Sequence, residues 1–79
     1  MEERSRVYEM VVERLTAMLG AQDYTEETKY ADIGIKSGHY SQMITLLEDE
    51  FDVEIPFMQF RRKATIGESV DFVCELLDE

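Results

Sequence analysis

The sequence contains very little cysteine, histidine or proline and no long apolar run. With one cysteine, Cys74, and one histidine, His39, it has neither an internal disulfide nor a Cys/His set of metal ligands. Cys74 lies among apolar residues, so we expect a small buried hydrophobe rather than a reactive thiol. No segment approaches the ~18 apolar residues of a membrane span, and the acidic first residues do not resemble a signal peptide. A cytoplasmic protein without membrane insertion is therefore expected.

Positive charge is also scarce. Eighteen acidic residues stand against eight basic ones, which gives a formal net charge of −10. This charge repels nucleic-acid phosphates and favours protein partners with basic patches. The length of 79 residues predicts a single domain, 1–79, expected to be monomeric, and the hydrophobic content of 44% excludes a disordered acidic tail. So small a domain is expected to offer a docking face or a shallow cleft rather than an enclosed active site.

Apolar residues recur at helical spacing in three stretches. The first covers residues 3–19, and the second begins at Ser37 or Gly38 and ends near residue 50 or 51. The last helix opens with residues 65–68, Thr-Ile-Gly-Glu, which match the Ser/Thr-x-x-Glu capping box. These three stretches predict the main helices.

A long loop and a short turn lie between these stretches. Residues 21–36 show no sustained periodicity, Pro56 blocks continuation of the second helix, and residues 57–62 predict one short helical turn. No segment alternates as a strand does. The pattern predicts an all-α fold: a small four-helix bundle of three main helices plus one short helix, with a long loop between helices 1 and 2.

The serine and the histidine near the start of the second helix suggest a catalytic pair, but their spacing opposes it. Ser37 and His39 are two residues apart, so their side chains diverge on a helix, and no acid lies close enough to orient His39. A hydrolytic enzyme is therefore not expected, and His39 is interpreted as an exposed side chain of the first turn. Taken alone, Ser37 is typical of a helix N-cap. The acids after residue 47 do not fit a calcium-binding loop, so no metal site is predicted.

Two charge clusters each allow a structural explanation. Carboxylates are absent between residues 33 and 47, and then three follow together at residues 48–50. Because carboxylates oppose the dipole at a helix C-terminus, this cluster is either a solvated face of an acidic protein or a patch kept for a basic partner. Residues 61–63, Arg-Arg-Lys, form the only basic cluster. We expect it to be a solvated turn that pairs with nearby acids.

Three further motifs stand at fixed spacing along the chain. Asp-Ile-Gly-Ile (residues 32–35) leads to the serine, Leu-Glu-Asp-Glu-Phe-Asp-Val-Glu-Ile-Pro (residues 47–56) closes the second helix, and Thr-Ile (residues 65–66) opens the last one. In these motifs the chain resembles the acyl carrier protein family, and the resemblance extends over essentially its whole length. It places Ser37 at the position where that family attaches phosphopantetheine.

The resemblance implies a carrier and not an enzyme. A separate phosphopantetheinyl transferase would move 4′-phosphopantetheine from coenzyme A to Ser37, using Mg²⁺. The new thiol would hold acyl intermediates as thioesters in fatty-acid, polyketide-like or lipid-precursor biosynthesis. The further partners implied are acyl-loading, synthase or acyltransferase enzymes with basic docking patches. A helix N-terminus beside Ser37 would suit the phosphodiester, because free N–H groups and the helix dipole favour an anion.

Residues 36–39 depart from the family's pattern. The family usually has Asp-Ser-Leu followed by an acid, whereas this chain has Lys36, Gly38 and His39 around the serine. We expect these three residues, with the late acids Glu48 and Asp49, to determine partner recognition. Two interpretations follow: a specialised carrier with dedicated partners, or a carrier-like interaction module that is poorly modified or unmodified. The first is favoured because the serine and its lead-in are intact.

The resemblance also suggests where cargo would lie. In the family, acyl chains tuck between the second helix and the later helices. The candidate walls of such a cleft are Met43, Leu47, Ile55, Phe60, Ile66 and Phe72, with Tyr40 near the mouth. Phe60 stands where many relatives carry a small residue, which predicts a short cleft. The alternative is that these side chains simply fill the core.

Overall fold

Four α-helices form the described part of the chain, residues 2–78 of a computed structural model. They are α1 (Glu2–Leu19), α2 (Ser37–Phe51), α3 (Phe57–Arg61) and α4 (Ile66–Leu77). A short 3-10 turn, Tyr30–Asp32, interrupts the long loop between α1 and α2. Residues 2–78 contain no strand, only one isolated β-bridge. The predicted all-α bundle of three main helices plus a short one is confirmed.

Backbone conformation explains where α1 and α2 end. Gly20 has a φ of +93°, and its N–H donates to the Thr16 carbonyl at 2.9 Å, which closes α1 as expected of a glycine cap. At the end of α2, Asp52 takes a left-handed conformation with φ +51°. Pro56 then becomes the N-cap of α3. The helix pattern in the sequence therefore predicted these boundaries to within a residue or two.

The start of α4 forms the predicted cap only in part. The Thr65 hydroxyl accepts a hydrogen bond from the Glu68 N–H at 3.2 Å. Glu68 returns its carboxylate to the Thr65 hydroxyl at 3.1 Å and not to the Thr65 N–H, as a full capping box would require.

Each main helix buries one face in a single core. The most buried side chains are Val7, Val11 and Leu15 of α1, Met43 and Leu47 of α2, Phe60 of α3, and Ile66, Val70 and Val73 of α4. Cys74 is only half-buried at the edge of this core, so the expected full burial is wrong. Partial burial still raises the pKa of its thiol, which opposes thiolate chemistry. No helix within residues 2–78 has the length and apolar character to cross a membrane.

The loop between α1 and α2 is attached to the start of α4. The Tyr30 N–H donates to the Ala64 carbonyl and the Ile66 N–H to the Thr28 carbonyl, both at 3.0 Å. The Tyr30 hydroxyl lies 2.6 Å from the Ser69 hydroxyl, which itself donates to the Ile66 carbonyl at 2.7 Å. Ser69 has its proton engaged, so Tyr30 is the donor to it. Two buried polar groups are thus satisfied only by each other and by α4.

We predict that Tyr30→Phe lowers the free energy of unfolding by about 1–2 kcal/mol, because Ser69 loses the donor to its buried oxygen. Ser69→Ala should cost a similar amount, and the double variant less than the sum of the two. Urea unfolding of the four proteins measures this coupling. Strict additivity would show that the hydrogen bond does not hold the loop.

The same tyrosine gives an alkaline dependence. Burial raises the pKa of Tyr30 far above its ordinary value. The unfolded chain therefore releases this proton at lower pH than the folded one, so the stability is complete below about pH 10 and falls above it. In Tyr30→Phe the decline of stability above that pH should be shallower.

Candidate functional site

Ser37 occupies the first turn of α2 and faces solvent. Lys36 is the N-cap, with extended backbone at φ −125° and ψ 170°, and Ser37 is the first helical residue. Within residues 2–78 the Ser37 hydroxyl has no hydrogen-bond partner, and the side chain is exposed. The interpretation of Ser37 as an N-cap is therefore wrong. Its hydroxyl is not used to stabilise the helix and is accessible to another protein.

His39 provides the cap that the serine does not. Its Nδ1 atom accepts a hydrogen bond from the Lys36 N–H at 3.0 Å. This is the position and direction of the Glu or Gln side chain in a capping box, here made by a neutral imidazole. His39 is half-buried, so the prediction of an exposed side chain is wrong. The histidine turns back along the helix towards Lys36, which also commits its Nδ1 lone pair.

The first turn of α2 keeps two backbone donors available. The N–H groups of His39 and Tyr40 both donate to the Lys36 carbonyl, at 2.9 and 3.2 Å. The N–H groups of Ser37 and Gly38 have no acceptor within residues 2–78. Free N–H groups and the positive end of the helix dipole favour an anion beside the Ser37 hydroxyl. A phosphodiester on that oxygen fits this chemistry.

Gly38 leaves additional room at the same place. A Cβ atom built at Gly38 would meet nothing within 4 Å. The residue is exposed and its φ is not in the positive region, so no packing contact requires a glycine here. The missing side chain therefore changes the surface that a partner meets and not the fold.

The acidic end of α2 divides into structural and free carboxylates. Glu48 is half-buried, and its carboxylate accepts a hydrogen bond from the Ile55 N–H at 2.9 Å. Glu50 forms an ion pair with Arg6, whose guanidinium also lies 5.9 Å from the centre of the Phe51 ring. Asp49 is exposed. Two of the three carboxylates therefore have partners within the protein, and Asp49 is the one left for an external partner.

The candidate cleft residues all lie in the core. Met43, Leu47, Ile55, Phe60, Ile66 and Phe72 are 0–8% exposed and belong to one buried cluster. Phe60 is fully buried and meets the Tyr40 ring edge-on, with 6.2 Å between the ring centres. Tyr40 in turn packs edge-on against Tyr30 at 5.4 Å. The cleft itself stays a prediction, because core side chains and cleft walls have the same burial in the protein without cargo.

A cationic groove lies beside the start of α2 and was not predicted from the sequence. Its four charged walls are Lys29, Arg61, Arg62 and Lys63, and its other walls include Ile35, Tyr40 and Met58. Its volume is about 510 Å³. The expectation that residues 61–63 pair with nearby acids is wrong: none of them forms an ion pair within residues 2–78. Lys63 instead places its ammonium 4.9 Å from the centre of the Phe72 ring.

Metal ligation is not suggested by the same surface. Within the described residues no group of three or more His, Cys, Asp or Glu side chains is arranged to hold a metal ion. The chemistry of this end of the molecule is that of an accessible serine hydroxyl, free backbone donors and a cationic groove.

These features define a small helical carrier domain with a serine at the start of its second helix. No family model matches the chain. An acyl carrier protein from Sulfurovum sp. (strain NBC37-1) is 34% identical to it over 68 residues, which make up 85% of this chain and 88% of that protein. The chain therefore belongs to the acyl carrier protein family. Its general role is that of a carrier rather than an enzyme.

We predict that His39→Ala weakens the start of α2 and lowers the free energy of unfolding by about 1 kcal/mol, as the loss of a cap does. His39→Gln should preserve most of the stability, because glutamine at this position can accept from the Lys36 N–H. Urea unfolding in alkaline buffer, where imidazoles are neutral, compares the variants. Equal losses in both would show that the imidazole stabilises by packing and not as an acceptor.

Proposed function

We propose that this protein carries acyl groups as thioesters on a 4′-phosphopantetheine arm joined to Ser37, in fatty-acid, polyketide-like or lipid-precursor biosynthesis. The observation that carries the proposal is the exposed, unbonded Ser37 hydroxyl at the first turn of a helix in a member of the acyl carrier protein family. The attached thiol supplies the thioester chemistry. The chain's own residues supply the attachment point, its electrostatic environment and the surface that partners recognise.

The first turn of α2 suits the attachment reaction. The Ser37 hydroxyl loses its proton and forms the phosphodiester bond, while the nucleotide portion of coenzyme A leaves. A transferase provides the Mg²⁺ and the base, because the chain has neither at this site. The free N–H groups of Ser37 and Gly38 then stabilise the phosphodiester charge. His39 holds the Lys36 backbone and so keeps this turn formed.

Partner recognition is proposed to depend on both ends of α2. At the N-terminal end, Lys36 and Gly38 are exposed and His39 is half-exposed, where the family usually presents an acid, a large apolar residue and another acid. At the C-terminal end, Asp49 is exposed and Glu48 keeps one carboxylate oxygen on the Ile55 N–H. The net charge of −10 steers the protein towards basic patches on its transferase and on acyl-loading, synthase or acyltransferase enzymes. The unusual first turn selects dedicated partners among them.

The arm's attachment is tested by intact mass. The protein is incubated with coenzyme A, Mg²⁺ and a broad-specificity transferase. We expect a mass gain of one phosphopantetheine in the wild type and none in Ser37→Ala. The matched control is Ser41→Ala, which removes the next exposed serine of the same helix and should keep the gain. No gain with several transferases, including those of the source organism, would favour the unmodified interaction module.

A second variant separates poor recognition from absent function. Lys36→Asp/Gly38→Leu/His39→Asp restores the family's usual charges and apolar side chain, and the open space at Gly38 accommodates the leucine. If the departures weaken docking, modification should accelerate about tenfold, as electrostatic steering does. An unchanged rate would show that the late acids are sufficient for the transferase.

Cargo within the core is proposed to be short. Phe60 is 0% exposed and stands between Tyr40 and the candidate cleft walls, so a long chain would have to displace it. We expect acyl groups beyond about six carbons to remain exposed at their ends, because overpacking a full core is costly. Loading defined chain lengths and following hydrolysis of the thioester measures their shelter. Complete protection of long chains would contradict the short cleft.

A further inference from the structure

The cationic groove gathers half of the basic residues of a strongly acidic protein. Lys29 comes from the loop before α2, and Arg61, Arg62 and Lys63 come from the end of α3 and the turn after it. The chain has eight basic residues against eighteen acidic ones, so acidic partners are abundant. None of the four cations forms an ion pair with any residue from 2 to 78. The groove therefore keeps a local positive charge that the rest of the protein does not neutralise.

The groove also contains a hydrogen-bond donor without a partner. Tyr40 is 7% exposed and lines the groove, and its hydroxyl forms no hydrogen bond with the described residues. Burial raises the pKa of this phenol although the Arg61 charge lowers it, so the hydroxyl stays protonated and can donate. A donor and several cations converging on one groove match the acceptor oxygens of a carboxylate or a phosphate.

The position of the groove associates it with Ser37. Two of its walls, Ile35 and Tyr40, flank the serine in sequence, two residues before it and three residues after it. Tyr40 therefore lies about one helical turn from the attachment point. A group carried on Ser37 starts beside this groove, whereas a large polyanion approaching it would meet the negative charge of the surrounding protein. The location favours a small anion on the arm.

The walls have both an apolar and a charged part. Ile35 is half-buried, and Met58 is 52% exposed, an unusually open position for a large apolar side chain. Together with the Tyr40 ring, they can cover a few methylene groups. The cations and the Tyr40 hydroxyl can bind a charged end. This combination fits a short chain with an anionic terminus better than a fully apolar chain.

We propose that the cationic groove binds the terminal carboxylate of a short carboxyacyl group carried on Ser37. The inference rests on the proposed function for the covalent arm, but the groove's preference for a carboxylate can be tested apart from it. The cargo class is then a dicarboxylic acid joined through one carboxyl as the thioester, with its other carboxylate in the groove. The buried core cleft would not hold such a group, because an unpaired charge there is strongly disfavoured.

The experiment compares succinyl and butyryl groups, which have equal chain lengths and differ by the terminal carboxylate. A transferase loads the protein from succinyl- or butyryl-coenzyme A, and intact mass confirms loading. Backbone amide shifts of Ala31 and Ala64, both in the groove walls, then report occupancy. We expect large shifts for the succinyl form only. Equal shifts in the form that carries the arm with a free thiol would assign the anion to the phosphodiester and overturn the proposal.

A second arm does not need modification of Ser37. S-succinylpantetheine and S-butyrylpantetheine are titrated into Ser37→Ala, and the same amides are followed. Succinyl should bind about fivefold more tightly, the gain expected for an exposed charge pair, and 0.5 M salt should reduce the difference. Equal affinities, or no binding by either, would overturn the proposal where loading fails. Absence of a mass gain alone would refute only the proposed arm.

Charge variants locate the effect. Arg61→Gln/Arg62→Gln removes two exposed cations from the groove and should abolish the preference for succinyl. Arg6→Gln removes an exposed cation on α1 that pairs with Glu50, outside the groove, and serves as the matched control. A preference retained in the groove variant, or lost equally in the control, would show that general charge and not the groove selects the carboxylate.

Discussion

The attachment of the α1–α2 loop to the start of α4 is the constraint on which the functional end of this protein depends. Two backbone hydrogen bonds of 3.0 Å and the buried pair of Tyr30 and Ser69 fix a segment that has no regular structure of its own. This attachment determines where α2 begins and hence where Ser37 leaves the surface. It also holds Lys29 opposite the cations at the end of α3, which forms the groove. A small core thus orients a site that lies almost entirely outside it.

Several residues that resemble recognition elements also serve the fold. His39 accepts from the Lys36 N–H and so closes the first turn of α2. Glu48 accepts from the Ile55 N–H, which ties the acidic end of α2 to the segment before α3. Carboxylates at a helix C-terminus oppose the dipole, and such local partners offset that cost. The specificity of the surface is therefore concentrated in fewer positions, chiefly Lys36, Gly38 and Asp49.

The helices were predictable from the sequence because each has a long apolar stripe and a clear terminal residue, as Gly20 and Thr65 show. The family's motifs likewise placed Ser37. The pairing of Tyr30 with Ser69 was not predictable, because the two residues are 39 apart and neither lies in a diagnostic pattern. The cationic groove was missed for the same reason: residues 61–63 were visible as a cluster, but Lys29 joins them only through the fold. Local periodicity predicts elements, whereas long-range polar contacts require their packing.

The account's central claim is that Ser37 is the covalent attachment point in the cell. The most direct measurement is fragment mass spectrometry of the protein purified from its source organism without added coenzyme A or transferase. The account predicts that the peptide containing Ser37 carries phosphopantetheine on that serine, alone or with an acyl group. An unmodified Ser37 in cells grown under several conditions, or the same group on Ser41, would contradict it.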